Sequence, residues 1–221
     1  MEEGFAVKFG PLVITDTIIT TWGIMLVFAA LAWLVKQNLN TGSPGLLQTL
    51  AEGIVAAIDE AIAAVLPGQS RQILPFIGSL WVFLVVANLI GLIPGLNSPT
   101  RDLSATSALA ILVFAAVHWY GIKTQGLRRY LQHYLTPSPI LLPFHIISEL
   151  SRTLALAVRL FGNMMSLETA ALLILLVAGL LAPIPILMLH IIEALVQAYI
   201  FGMLALIYLA SALQSQQPTE E

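Results

Sequence analysis

Long apolar runs, most of them of bilayer-spanning length, divide this chain and leave it few folds. A helix needs about 20 mostly apolar residues to cross the hydrocarbon core, which is about 30 Å thick. Apolar runs and helix-breaking residues mark six helical segments, at about 17–35, 44–66, 72–93, 104–120, 143–181 and 184–213. This pattern predicts an all-α membrane protein in which residues 1–221 form a single integral-membrane domain.

The composition supports the same class. Hydrophobic residues make up 58% of the chain and charged residues 10%, and its mean hydropathy is +0.92. Soluble domains carry roughly 25% charged residues. The net charge of −3 identifies no partner, and we expect no nucleic acid to bind. The chain has no cysteine, so disulfides and thiolate metal sites are excluded.

The second segment differs from the other five because it is amphipathic. One helical face carries only apolar residues, whereas polar residues occupy the other faces; the apolar set is Leu46, Leu50, Ile54, Ile58, Ile62 and Val65, and the polar set is Gln48, Glu52, Asp59 and Glu60. Such a helix is typical of the membrane interface. We therefore predict five transmembrane helices and one interfacial helix. The run at 17–35 exceeds the usual length of a signal-peptide core, so we interpret it as a retained helix.

The distribution of positive charge predicts the orientation. Cations gather in the connections that join the first helix to the third and the fourth to the fifth; they are Lys36, Arg71, Lys123, Arg128 and Arg129. Cytoplasmic loops carry such an excess of Lys and Arg. The N-terminus is then outside and the C-terminus is cytoplasmic. The fifth segment would be about 58 Å long, and Pro183 and Pro185 separate it from the sixth, so we predict a long, steeply tilted hairpin.

Arg159 lies within an apolar stretch, residues 154–164, of the fifth segment. A charge at that depth costs roughly 2.5 to 17 kcal/mol, depending on the reference state. At about 100° per residue, Glu149, Arg152, Arg159 and Asn163 share one helical face, and Glu168 lies about 180° from Arg159 and about 13.5 Å further along the axis. Arg152 and Glu149 also suit an ordinary salt bridge near the helix end. Arg159 has no acid three or four residues away, so we interpret it as functional.

The sixth segment carries a second polar face, formed by His190, Glu193 and Gln197. A hairpin brings His190 and Glu193 to the level of Glu168, and Gln197 nearer the depth of Arg159. Because a carboxylate follows His190 by one turn, a hydrated proton or ion path explains this face better than a buried structural histidine does. Asn88 in the third segment suits either an ion path or helix packing.

The motifs resemble subunit a of the rotary F-type ATP synthases. The string RLFGNM occupies 159–164, Glu168 follows Arg159 by nine residues, and His190 precedes Gln197, within QAYIF, by seven. The segment WVFLVVANLIGLIPG at 81–95 is similar to the family's third helix, and Thr100, Asp102 and Thr106 match the loop after it. The short outer loops and the brief N-terminus resemble those of a divergent, sodium-type branch of this family.

Two positions depart from the family pattern. Thr153 stands where many members have proline, which implies a less kinked start to the fifth helix. Glu193 stands where many members have an apolar residue.

The resemblance implies a stator beside a rotating ring of c subunits, with two offset half-channels that deliver protons or sodium ions to the ring's carboxylates. Arg159 would face the ring at the boundary between the half-channels, and Glu168, His190 and Glu193 would line the outer one. The ion-translocation set is completed by Asn88, Asn163 and Gln197. The implied partners are the c-ring, peripheral-stalk subunit b and the lipid bilayer of a bacterial-type inner membrane, with no cofactor and no metal.

Two other classes compete with this interpretation. A secondary ion-coupled transporter also uses charged residues inside the membrane, but the chain shows neither inverted repeats nor broken helices. An intramembrane protease would need H-E-x-x-H or G-x-S-x-G, and the sequence has neither. The sequence also lacks a phosphate loop, so we expect the chain itself to be non-catalytic. The transported ion stays open between proton and sodium.

Overall fold

The structure is a computed structural model that describes residues 7–9, 12–37, 39, 45–93, 96–128, 130, 139–178 and 184–214; some side chains within these ranges, including that of Glu168, lie outside it. The long helices among these residues are α1 Asp16–Gln37, α2 Leu46–Val65, α3 Ser70–Leu89, α4 Leu103–Gln125, α5 Leu142–Ala178 and α6 Ile184–Gln214. Three short 3-10 helices occupy Ile90–Leu92, Pro99–Arg101 and Pro139–Leu141.

Five of these helices, all except α2, are long and apolar enough to span a membrane. The predicted all-α membrane fold is therefore confirmed. Ahead of α1, strands β1 (Val7–Phe9) and β2 (Leu12–Ile14) pair antiparallel, with Val7 opposite Ile14. The sequence analysis did not predict them, because three residues are too few for a periodicity to be recognised.

Two helix ends differ from the prediction. The α-helical part of α3 ends at Leu89 and continues as a 3-10 turn, and α4 runs to Gln125 instead of ending near Tyr120. Gly121, the residue just after the predicted end, lies inside the helix, and the ring of Tyr130 occupies the space a Cβ there would need, 2.7 Å from its position. The stop is at Gly126, whose φ of 79° suits glycine.

Parts of four predictions fall outside the described residues. They concern the turn at residues 93–95 beyond Ile93, the cation Arg129, the break at Pro183 and the stretch 179–181 of the fifth segment.

The core is formed where α3, α4, α5 and α6 meet, with α2 packed against α3. The indole of Trp81 lies in the space that a side chain at Gly202 would fill, and it stacks on Tyr199 at a centroid separation of 5.9 Å. The chain therefore needs glycine at 202 for α3 and α6 to approach this closely. Other core residues are Ile77, Leu84, Val113, Leu156, Leu160, Met164, Phe201, Leu206 and Leu209.

The two ends of the bundle carry different polar groups. We call the end that holds residues 97–102 the connection end, and the opposite end the basic end. The basic end carries four exposed cations, Lys36, Arg71, Lys123 and Arg128. At this end the Tyr120 hydroxyl on α4 donates to the carbonyl of Gln72 on α3, at 3.2 Å, and so joins the two helices.

The α1 helix lies at the edge of the bundle and buries only Thr20 and Ile24. At the connection end, its Thr17 hydroxyl donates to Asp102 at 3.1 Å, and Asn97 donates to Asp16 at 2.8 Å. Asp102 also caps α4 by accepting from the backbone N–H of Ser104. The connection end is thus joined to α1 by two hydrogen bonds, and Asp102 serves both α1 and α4.

Candidate functional site

Arg159 lies on α5 at the margin between its buried and its exposed side. Leu156 and Leu160, which flank it at three residues before and one after, are almost fully buried, whereas Val158 is 50% exposed. Arg159 itself is exposed, and its side chain makes no salt bridge or hydrogen bond with any described residue. A cation within a membrane-spanning helix therefore points away from the rest of this chain.

The four polar residues predicted to share one face of α5 have different surroundings. Arg152 forms the expected salt bridge with Glu149, at 3.2 Å, and its guanidinium also lies over the ring of Tyr208, 4.7 Å from the centroid. The Asn163 side chain donates to Gln197 at 2.7 Å. The side chains of Arg152 and Asn163 therefore contact α6, whereas that of Arg159 does not. The four residues are spread over an arc of the α5 surface, and α6 covers only part of that arc.

These contacts give the register of α5 against α6. Asn163 pairs with Gln197, and Arg152, eleven residues before Asn163, contacts Tyr208, eleven residues after Gln197. The two helices are therefore antiparallel, and their register is the same at both contacts. Extending the same register by five residues places position 168 level with Ile192, between His190 and Glu193. The predicted hairpin register follows from the described parts of both helices, although the turn lies outside them.

Two side chains on the polar face of α6 are buried, each with a nitrogen that has no partner among the described residues. His190 is 2% exposed and Gln197 is 1% exposed, and neither Nε2 atom forms a hydrogen bond within the described residues. Gln197 uses its oxygen to accept from Asn163. A buried polar group without a partner costs about 1 to 3 kcal/mol. Such groups require a functional explanation or a bound water.

The two carboxylates of the predicted site are Glu193 and Glu168. Glu193 is half-buried on α6, and no described side chain forms a salt bridge with it, His190 included. The side chain of Glu168 lies outside the described residues, so its predicted proximity to His190 stays a prediction. Across the described part of the chain, no group of three His, Cys, Asp or Glu residues is placed to hold a metal.

Asn88 differs from His190 and Gln197 because both ends of its amide have partners. Its Nδ2 donates to the Ala194 carbonyl on α6 at 3.1 Å, and its Oδ1 accepts from the Thr100 hydroxyl at 2.8 Å. Ser98 lies 2.7 Å from Thr100 and donates to the Ala87 carbonyl at 2.8 Å. We call Asn88, Ser98 and Thr100 the Asn88 cluster; all three are buried.

Sequence reasoning missed three residues that hold the site together: Tyr208, Ser98 and Gly202. Thr100 was noted only as a motif match, although it bonds directly to Asn88. The signal for Ser98 was the polar loop after α3, where short hydroxyl side chains commonly bond to nearby backbone. The sequence held no equivalent signal for Tyr208, whose contact with Arg152 depends on helix packing.

Fold and site together define a multi-pass α-helical membrane protein with a charged residue and a partly unsatisfied polar face inside the bilayer. The ATP synthase A chain family matches residues 18–210. The chain belongs to this family.

Bacterial relatives match almost end to end. "ATP synthase subunit a 2" of Pelobacter propionicus is 61% identical over 216 residues, which cover 96% of this chain and 94% of the relative. "ATP synthase subunit a 1" of Hahella chejuensis is 64% identical over 211 residues, 96% of this chain and 88% of the relative. "ATP synthase subunit a" of Legionella pneumophila strain Paris is 54% identical over 220 residues, 98% and 96% of the two chains.

Proposed function

We propose that this chain is the stator ion-channel subunit of a rotary ATP synthase, in which two offset half-channels deliver ions to and from the carboxylates of a rotating c-ring. The observation that carries the proposal is the position of Arg159. It is exposed on a membrane-spanning helix, level with core residues, and has no acidic partner among the described residues. Because a lone charge in a bilayer is costly, its partner belongs to another molecule.

A ring carboxylate supplies that partner. A guanidinium keeps its charge at physiological pH and offers a planar fork of donors to a carboxylate. When a ring carboxylate arrives opposite Arg159, the cation stabilises its ionised form, so the bound ion leaves. Arg159 also repels any cation that would pass directly between the half-channels. Ions then cross only by travelling with the ring, and each charge gains about 2.3 kcal/mol per 100 mV.

The outer half-channel follows the polar face of α6. His190 and Gln197 are seven residues apart, which is about 10.5 Å along the helix, and both present unpartnered nitrogens. Water would bind at both nitrogens, accepting from the Gln197 amide and exchanging a hydrogen bond with the His190 imidazole, since each hydrogen bond formed there removes a desolvation penalty. The Asn163–Gln197 pair extends the polar path to within one turn of Arg159 on α5. Glu168 and Glu193 would supply the carboxylates at the outer part of this path.

The orientation follows from the four exposed cations of the basic end, which we assign to the cytoplasm. The connection end and the outer half-channel then lie on the other side, with the N-terminus outside and the C-terminus cytoplasmic. In this arrangement the chain is a single integral-membrane domain with α2 along the interface. It contacts the c-ring and subunit b, and the chemistry of ATP belongs to other subunits.

The test compares two arginines of α5 in membranes that contain the assembled complex. We expect Arg159→Ala to abolish ATP-driven ion pumping and ATP synthesis, and Arg159→Lys to retain little, because a compact, strongly hydrated ammonium replaces the planar fork. The control is Arg152→Ala, whose side chain is paired inside this chain, and it should keep most of the pumping rate. Near-normal ATP synthesis by Arg159→Ala membranes would refute the proposal.

A further inference from the structure

The Asn88 cluster is hydrogen-bonded to α6, a helix of the proposed ion path. Asn88 is 0% exposed near the end of α3, and its amide joins two elements that are far apart in sequence. The N–H donor reaches α6 at the Ala194 carbonyl, and the carbonyl acceptor receives the Thr100 hydroxyl of the Pro99–Arg101 turn. Through this one side chain, the connection end is bonded to α6.

The position of Ala194 on α6 links this hydrogen bond to the proposed ion path. It lies four residues after His190 and three before Gln197, on the same side of α6, and it is fully buried. The bond from Asn88 therefore falls between the two residues whose nitrogens are unpartnered. Because the three residues share one side of α6, a rotation of the helix about its axis would move both nitrogens together.

A second contact between α3 and α6 uses the same register. Trp81, seven residues before Asn88, packs against Gly202, eight residues after Ala194. The Trp81 contact sets how closely the helices approach, because no side chain separates the indole from the backbone of α6. Packing alone does not resist rotation as a directional hydrogen bond does. The hydrogen bond from Asn88 to Ala194 supplies this directional restraint on the rotation of α6.

We infer that Asn88 is a positioning residue: by its hydrogen bond to Ala194 it sets the rotation of α6, so that His190 and Gln197 face the ion path, and through Thr100 it makes that rotation depend on the connection end. This inference rests on the proposed function. Asn88 does not itself carry the ion, since both ends of its amide already have partners. Of the two roles that the sequence left open for Asn88, this inference favours helix packing over an ion contact.

Asn88→Asp and Thr100→Val separate the two bonds in the assembled complex. Aspartate has the shape of asparagine and still accepts from Thr100, and in its ionised form it cannot donate to Ala194. Because burial favours the neutral acid, which could donate, pumping and labelling are compared at the highest pH that the complex tolerates. A residue that contacts the ion would tolerate this change. A positioning residue would not, so we expect Asn88→Asp to slow ATP-driven pumping as much as Asn88→Leu does. Thr100→Val, which leaves the bond to Ala194 in place, should slow pumping less than either.

The rotation of α6 is measured without reference to transport. A single cysteine is introduced at Ala198, which is fully buried next to Gln197, and another, in a separate protein, at Leu195, which is 45% exposed. The chain has no native cysteine to interfere. We expect Asn88→Asp to raise the ratio of labelling at 198 to labelling at 195 by a small thiol reagent roughly fivefold, as loss of one buried hydrogen bond shifts a conformational equilibrium.

Two results would overturn the inference. One is slowed pumping in Asn88→Asp with an unchanged labelling ratio, which would show that Asn88 affects transport without setting the rotation of α6. The other is unchanged pumping and unchanged labelling. If Asn88→Leu prevents assembly, Asn88→Asp and Thr100→Val still give both readouts. The labelling ratio depends only on the position of α6, so it tests the inference even if the Arg159 experiment refutes the proposed function.

Discussion

The Asn88 cluster and the polar face of α6 are neighbours, yet they differ in whether their buried polar groups have hydrogen-bond partners. Within the described residues, the amide of Asn88 and the hydroxyls of Ser98 and Thr100 all have partners. On the face of α6, His190 and Gln197 each bury a nitrogen that has no partner in the described part of the chain. Satisfied polar groups specify one arrangement of helices, whereas unsatisfied ones reduce stability and remain available for a ligand. We interpret the first region as structural and the second as the path.

The largest expected effect is a crosslink that forms on one side of α5 and not on the other. Ser166 is exposed, seven residues after Arg159 and within about 20° of its direction on an ideal helix. Leu160 is fully buried on the side packed inside the chain. We expect cysteine at 166 to form a disulfide with a cysteine placed beside the ring carboxylate in the assembled complex, and cysteine at 160 to form none.

Crosslinking is read on denaturing gels after mild oxidation, and the absence of native cysteine keeps the background from this chain low. A crosslink from 160 with none from 166 would reverse the orientation of α5. It would also remove the reason for assigning Arg159 to the ring.

A smaller effect is expected from His190. His190→Ala should slow ATP-driven pumping roughly tenfold, equivalent to about 1.4 kcal/mol in the barrier, because the path loses a group that binds water or the ion. Glu168→Gln should act in the same direction and, in the double variant, add little, since both side chains are assigned to one part of the outer half-channel.

The control for His190 is its neighbour Leu189, which is 52% exposed and points away from the polar face. Leu189→Ala should pump at nearly the original rate when equal amounts of assembled complex are compared. Unchanged pumping by both His190→Ala and Glu168→Gln would place the half-channel elsewhere, and the contrast between the two regions would then lose its functional meaning.

The smallest effect concerns packing. Gly202→Ala places a methyl group where the Trp81 indole lies, and such overpacking costs about 1 to 3 kcal/mol. We expect faster thermal loss of this subunit from the purified complex, with pumping per assembled complex nearly unchanged. Gly53→Ala is the control, because a Cβ there meets no atom within 4 Å; alanine in an exposed helix is favoured over glycine by about 1 kcal/mol. Equal loss rates for both variants would contradict the role given to Trp81.

The sequence by itself determined the helices and marked Arg159 as a candidate functional residue. Apolar runs of bilayer length, Gly and Pro breakers and the scarcity of charge are local properties, so they predict five spanning helices without knowledge of packing. The salt bridge of Arg152 with Glu149 was predictable for the same reason, because residues three apart on a helix are neighbours. Helical spacing also placed Glu168 opposite Arg159 and grouped His190 with Gln197.

Only the tertiary structure decided which polar groups meet across helices. Asn163 meets Gln197 across 34 positions of sequence, and Asn88 meets Ala194 across 106. Helical periodicity tells which residues share a side of one helix, but it carries no information on how a neighbouring helix is rotated or shifted along its axis. That choice depends on the summed packing of many side chains, such as Trp81 against Gly202. For this reason the sequence grouped Arg159 with Asn163, and only the packed helices separated an exposed cation from an amide bonded inside the chain.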